Sequence, residues 1–148
     1  MDIERDFVLS KNNKNNMDIK KEIKNFWNKK PCGTSGNIEK EINEEYFNKI
    51  REKRYKLEPF ILSTAKFQEW KNKNVLEIGC GIGTDAVEFA KNQAQYTGID
   101  LSLKSIELCK KQFEIYNLNG NIINADAENL PFENNSFESQ MHVGWLVQ

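Results

Sequence analysis

The sequence predicts an α/β fold, a parallel sheet preceded by a helical extension, on three observations. From Asn74 onward short apolar runs alternate with helical stretches. Their spacing is that of successive strand–helix–strand units, whose strands lie parallel. Before Asn74 the pattern is helical throughout. In such folds ligands sit at the carboxyl ends of the strands, so functional residues are expected there.

Each element has a local reason. Asp18 as N-cap, with Ile19, Ile23, Phe26 and Trp27 on one face, predicts a helix over 18–30 that Pro31 ends. Cys32 to Gly36 then reads as a loop. Ile38, Ile42, Tyr46 and Ile50 recur at four-residue spacing and predict a second helix running toward Leu57. Proline is accepted in a helix's first turn, so a short helix restarts after Pro59 and covers 60–70. Strands are expected at 75–78, 96–99 and 122–123, and helices at 84–91 and 102–116. After Phe137, Ser139 and Gln140 put polar residues where a buried fourth strand wants apolar ones, and 143–147 recovers hydrophobicity a position or two late. The tract KNNKNN at 11–16 has nothing to bury. The expected organisation is a disordered arm over 1–17, a helical extension over 18–73 and a ligand-binding domain over 74–148.

Composition narrows the function. At 148 residues, 39% hydrophobic, the chain suits one globular domain. No run approaches the roughly 18 apolar residues of a membrane span, and MDIERDFVLS lacks the basic-then-apolar layout of a signal peptide. Cys32, Cys80 and Cys109 are odd in number and far apart, so neither a disulfide framework nor a zinc site is read from them, and a reducing cytoplasm fits. The single histidine, His142, leaves metal chemistry without a ligand cluster, and a structural role suits it better than that of a general base. The net charge of -1 divides into 17 basic against 12 acidic residues over 1–74, and 4 against 10 over 75–148. The basic residues of the first half are interspersed with Glu, which reads as solvated helix faces, and no nucleic-acid-binding module is recognisable.

The chemistry concentrates in Val75-Leu76-Glu77-Ile78-Gly79-Cys80-Gly81-Ile82-Gly83-Thr84, an apolar strand entering a glycine-rich turn and then a helix. Alternate glycines permit positive φ and let backbone amides approach a ligand that a Cβ would block. Asp100 closes the second strand 21 residues after Gly79, placed to accept from a ribose hydroxyl pair, and Asp126 follows the third. Counting from Gly79, the sixth position is Thr84, where a dinucleotide fingerprint wants Gly or Ala, so the motif is better written E-x-G-x-G-x-G. Glu77 adds like charge beside a pyrophosphate but suits a cationic amino-acid ligand. Cys80 fits as a small side chain beside a ligand, and Cys109, with Ile106 and Phe113, as core.

Over residues 75–137 the sequence resembles the class I, seven-stranded, S-adenosylmethionine-dependent methyltransferases, whose fold is Rossmann-like. VLEIGCGIGTD is similar to the family's first motif, YTGIDLS to its ribose-binding strand end, and ADAENLPFENNSFE to its adenine-binding segment. The resemblance implies S-adenosyl-L-methionine as cofactor. Glu77 and the loop of Gly79, Cys80, Gly81 and Gly83 would hold its methionine part, Asp100 its ribose hydroxyls and Leu101 a face of its adenine. Asp126 would accept from the adenine amino group while the Ala127 amide reads the ring edge. FWNKKPCGTS and EYFNKIREKRYKLEPFI resemble N-terminal helices that cap the pocket in a bacterial small-molecule branch. That likeness makes Trp27, Tyr46, Arg54 and Tyr55 lid or substrate-side candidates.

The implied function is methyl transfer to a small-molecule acceptor by a cytoplasmic enzyme, with no nucleic-acid or membrane partner and no residue assigned as catalytic. The alternatives are a truncated, non-catalytic cofactor-binding fragment or interaction module and, more weakly, a nicotinamide-dependent oxidoreductase. Because the family's sheet has more strands than these residues supply, strand one is expected near an exposed edge, with marginal stability or self-association through that edge.

Overall fold

The computed structural model describes residues 16–34 and 41–142. Residues 1–15 of the arm expected over 1–17, Ile38 and the apolar run at 143–147 lie outside the described residues, while residues 16 and 17 of that arm are helical. The helical extension comprises α1 (Asn16–Lys29), α2 (Glu44–Leu57), α3 (Phe60–Ala65) and a 3₁₀ turn at Phe67–Trp70. The alternating part follows as β1 (Asn74–Ile78), α4 (Thr84–Lys91), β2 (Gln95–Asp100), α5 (Leu103–Ile115), β3 (Asn121–Asn124) and β4 (Ser139–His142).

The sheet order is β3-β2-β1-β4, and every neighbouring pair is parallel. Leu76 lies between Thr97 of β2 and Gln140 of β4, and Ile99 of β2 pairs with Ile123 of β3. β1 is therefore paired on both sides, and β4 beside it forms the edge of the sheet among the described residues. β4 forms on the polar residues Ser139 and Gln140 because backbone pairing with β1 holds it. Glu138 brackets that pairing, its N–H donating to Asn74 O (3.0 Å) and its carboxylate accepting from Asn74 N–H (2.7 Å).

Val75, Tyr96 and Ile122 of the sheet meet Ala86, Val87 and Phe89 of α4 and Ile106, Cys109 and Phe113 of α5 in one buried cluster. Ile61, Ala65 and Phe67 of the extension belong to the same cluster. Phe89 stacks on Tyr96 at 6.1 Å and takes Phe67 edge-on at 4.7 Å, contacts worth about 1 kcal/mol each beyond area burial.

Three boundaries differ from the sequence expectation. α1 starts at Asn16, so Asp18 sits in its first turn, where a carboxylate favours the helix dipole, and is not its N-cap. α2 starts only at Glu44, because the Asn43 side chain accepts the Tyr46 N–H (3.0 Å) and caps the helix there, leaving Ile42 outside. The 60–70 helix is two pieces because Lys66 adopts left-handed φ and ψ of 47° and 50° between them.

Candidate functional site

The carboxyl end of β1 turns sharply through Gly79, Gly81 and Gly83, at φ of +76°, +55° and +91°. The turn is pinned to β2, since Gly79 N–H and Cys80 N–H both donate to Ile99 O at 2.8 and 3.0 Å. With its amide nitrogen facing the loop, buried Gln112 of α5 donates to Ile82 O (2.9 Å) and Gly83 O (3.2 Å). The glycines divide by task. A Cβ on Gly79 or Gly81 would meet nothing within 4 Å, whereas one on Gly83 would stand 2.5 Å from Cys109 Sγ. The first two leave open room beside backbone amides, and the third lets α4 approach α5. A turn of this kind fits the polar end of a nucleoside cofactor. Cys80 is buried, and contact with Cys109, together with burial, holds its thiol well above the usual range, which leaves it unreactive.

Asp100 ends β2 beside this loop. Its Oδ2 accepts Gly81 N–H at 2.9 Å and its Oδ1 accepts Ser102 N–H at 2.8 Å. A carboxylate has about four lone-pair positions, so two acceptor positions remain for a pair of hydroxyls. Burial pushes the Asp100 carboxyl above its ordinary value, and the two backbone donors oppose that rise.

Glu77 is only 1% exposed and its carboxylate accepts the Tyr96 hydroxyl at 2.7 Å. Burial first, and then the charge of Asp85, push its carboxyl from 4.5 up to about 8, with Tyr96 and Arg54 opposing. Gly98 makes the Tyr96 contact possible, since a Cβ there would collide with the Tyr96 hydroxyl that crosses it. Tyr96 and Asp85 went unseen in the sequence.

Arg54 and Tyr55 converge on Asp85 in the first turn of α4. Arg54 Nη2 lies 2.7 Å from Asp85 Oδ2, and the Tyr55 hydroxyl donates to Oδ1 at 2.9 Å. One turn farther along α4, Arg51 pairs with Glu88 at 2.8 Å. α2 is thus clamped to the helix that leaves the glycine loop. Of the other candidates, Tyr46 is buried with its ring edge against Phe47, and Trp27 is half-buried on α1.

On the opposite side, Asn124 Nδ2 donates to Asp100 O (2.8 Å) and Leu101 O (2.9 Å), and Ala125 N–H donates to Asp100 O (3.2 Å). These bonds fix the turn after β2 against the end of β3, with Leu101 half-buried and Ala127 exposed. Asp126 is engaged twice, with Oδ1 accepting Glu128 N–H (2.9 Å) and Oδ2 accepting Lys20 Nζ (2.6 Å). The Lys20 contact holds the Asp126 carboxyl below the usual range. Lys20 and Asn28 of α1, both in contact with this region, had no signal in the sequence. Among the described residues no group of three or more His, Cys, Asp or Glu side chains is placed to hold a metal, and no helix is long and apolar enough to cross a membrane.

Residues 75–146 match a family described as methyltransferase domain. Among curated relatives, phthiotriol/phenolphthiotriol dimycocerosates methyltransferase 1 of Mycobacterium ulcerans is 41% identical over 82 residues, 54% of this chain and 30% of that protein. Fatty-acid O-methyltransferase of Mycolicibacterium smegmatis is 36% identical over 83 residues, 55% of this chain and 30% of that one. The chain thus spans about a third of the length of these curated relatives. The PH0226 protein of Pyrococcus horikoshii superposes with a TM-score of 0.51 at 25% identity, covering 68% of this chain and 44% of that structure. A candidate S-adenosyl-L-methionine-dependent methyltransferase of Methanococcus maripaludis superposes at 0.50 and 20% identity, over 74% and 54%. These two structures share the Rossmann-like fold.

Proposed function

We propose that this chain belongs to the class I S-adenosylmethionine-dependent methyltransferases, on the match of residues 75–146 to the methyltransferase-domain family. The site binds S-adenosylmethionine and serves transfer of its methyl group to an oxygen of a small lipid-like acceptor. The observation that carries this reading is the pairing of an open glycine turn at Gly79 and Gly81 with the amide-held carboxylate of Asp100.

When bound, the cofactor supplies an electrophilic methyl group. The chain's own residues bind, orient and exclude water. The amides of the 79–83 loop and the buried carboxyl of Glu77 face the methionine end. Asp100 takes the ribose hydroxyls, Leu101 covers the base, and Asp126 with the Ala127 amide reads its edge. The 18–73 segment serves as a lid over the 74–148 domain, with Arg54 and Tyr55 anchoring it to Asp85 of α4. The relatives named for a fatty acid and for a phthiotriol ester suggest a lipid hydroxyl or carboxylate as acceptor. Of the two, a carboxylate suits this site better. Glu77, Asp85 and Asp100 all have hydrogen-bond partners inside the protein, and a carboxylate oxygen attacks without a protein base. Cytoplasmic placement belongs to the same reading, since the scattered cysteines ask for no oxidising compartment.

The test is transfer of a radiolabelled methyl group from S-adenosylmethionine to long-chain fatty acids and hydroxylated lipids. Label entering the organic phase with the wild type and lost with Asp100→Ala supports the reading. No transfer to either acceptor class by a chain that binds the cofactor contradicts it.

A further inference from the structure

α1 is fastened across the nucleoside side of the site at two points. Near its start, Lys20 Nζ lies 2.6 Å from Asp126 Oδ2 and 2.5 Å from Glu128 Oε2, both after β3. Near its end, Asn28 Oδ1 accepts Ser102 Oγ (2.9 Å) and Lys104 N–H (3.2 Å), after β2. The two anchors are about 12 Å apart along the helix at 1.5 Å per residue. They bind the two turns that hold Asp100 and Asp126.

One ammonium therefore serves two carboxylates that differ in their other commitments. Asp126 also accepts the Glu128 N–H and precedes the exposed Ala127, where a purine base is read under the proposed function. The Glu128 side chain is 73% exposed, against 32% for Asp126. Exposed ion pairs of this kind exchange at little cost, because solvent screens each of them.

We infer that Lys20 is a transferable clamp: it bridges Asp126 and Glu128 in the free chain and is held by Glu128 alone when the exocyclic amine of a purine nucleoside takes Asp126. α1 stays fastened through Asn28 and Glu128 while the base is admitted. Lys20 is thus a positioning residue that tunes nucleoside affinity, and Glu128 is the acceptor that makes the exchange possible. This inference rests on the nucleoside site proposed above.

The test is calorimetric titration of the full chain with S-adenosylhomocysteine at low ionic strength, for the wild type, Lys20→Met and Glu128→Gln. The clamp predicts opposite signs. Lys20→Met frees Asp126 and tightens binding about 2- to 5-fold, whereas Glu128→Gln leaves Lys20 on Asp126 alone and weakens it by a similar factor. At about 0.5 M salt the three converge. A merely structural anchor would make both variants bind more weakly. Unchanged or weaker binding by Lys20→Met, in a chain whose wild type binds and whose Asp100→Ala variant does not, overturns the clamp alone. Absence of binding by every variant overturns the nucleoside reading and the clamp with it.

Discussion

Gly81 and Asp100 are joined by one hydrogen bond, the Gly81 N–H donating to Asp100 Oδ2 at 2.9 Å, between the turn after β1 and the last residue of β2. Ser102 N–H holds the other oxygen, so the carboxylate is oriented before any ligand arrives. Preorganisation of this kind lowers the ordering cost of binding. It also ties the shape of the glycine turn to the acid proposed to read the ribose.

The glycines of the turn are expected to separate function from stability. Gly81→Ala places a Cβ in open space at a φ of +55°, so it costs about 1 kcal/mol of backbone strain and blocks the cradle. Gly83→Ala adds a collision with Cys109 to similar strain and costs about 3 kcal/mol. Urea unfolding paired with titration by S-adenosylhomocysteine checks this. Equal stability of the two variants would contradict the assignment.

Glu77 gives a pH signature. Its carboxyl rises from 4.5 to about 8 on folding, so between those values the native chain keeps a proton that the unfolded chain has lost. Unfolding free energy then falls as pH rises. The group's contribution is fully present below about 4.5 and is lost through about 8, a span of a few kcal/mol. Glu77→Gln, which stays neutral, is expected to gain stability relative to the wild type on going from pH 5 to pH 9. Parallel stability curves for the two proteins would sink the argument.

Arg54→Ala leaves Asp85, 6% exposed, without its charge partner and is expected to cost about 3 kcal/mol. Arg54→Lys recovers only part of that, because an ammonium lacks the planar fork that meets both carboxylate oxygens at 2.7 and 3.4 Å. Chemical denaturation of the two variants and of Asp85→Asn measures the coupling. A loss within about 0.5 kcal/mol for Arg54→Ala would show that α2 is held by packing alone.

From Asn74 to Asn124 the sequence was read to within one residue at nearly every boundary, since apolar runs there are punctuated by glycine, Asn92 and the Ser102 cap. β4 was obscure because its pairing with β1 substitutes for apolar character at Ser139 and Gln140. The split at Lys66 was invisible, since the left-handed turn there falls on an ordinary lysine. In the site, the 79–83 turn and Asp100 were legible as local patterns of strand, glycine and acid. The partners that give the site its electrostatics were not. Lys20 lies 106 residues from Asp126, Asn28 74 from Ser102 and Arg54 31 from Asp85, and only the fold brings them together.

The most direct measurement is calorimetric titration of the full chain with S-adenosylhomocysteine, with Asp100→Ala as its partner. The proposed site predicts binding in the micromolar range, weakened by about 10-fold or more in the variant, because two hydroxyls lose a charged acceptor. A wild-type chain that is folded by circular dichroism and shows no binding, or binding that Asp100→Ala leaves unchanged, would contradict the assignment of the nucleoside site.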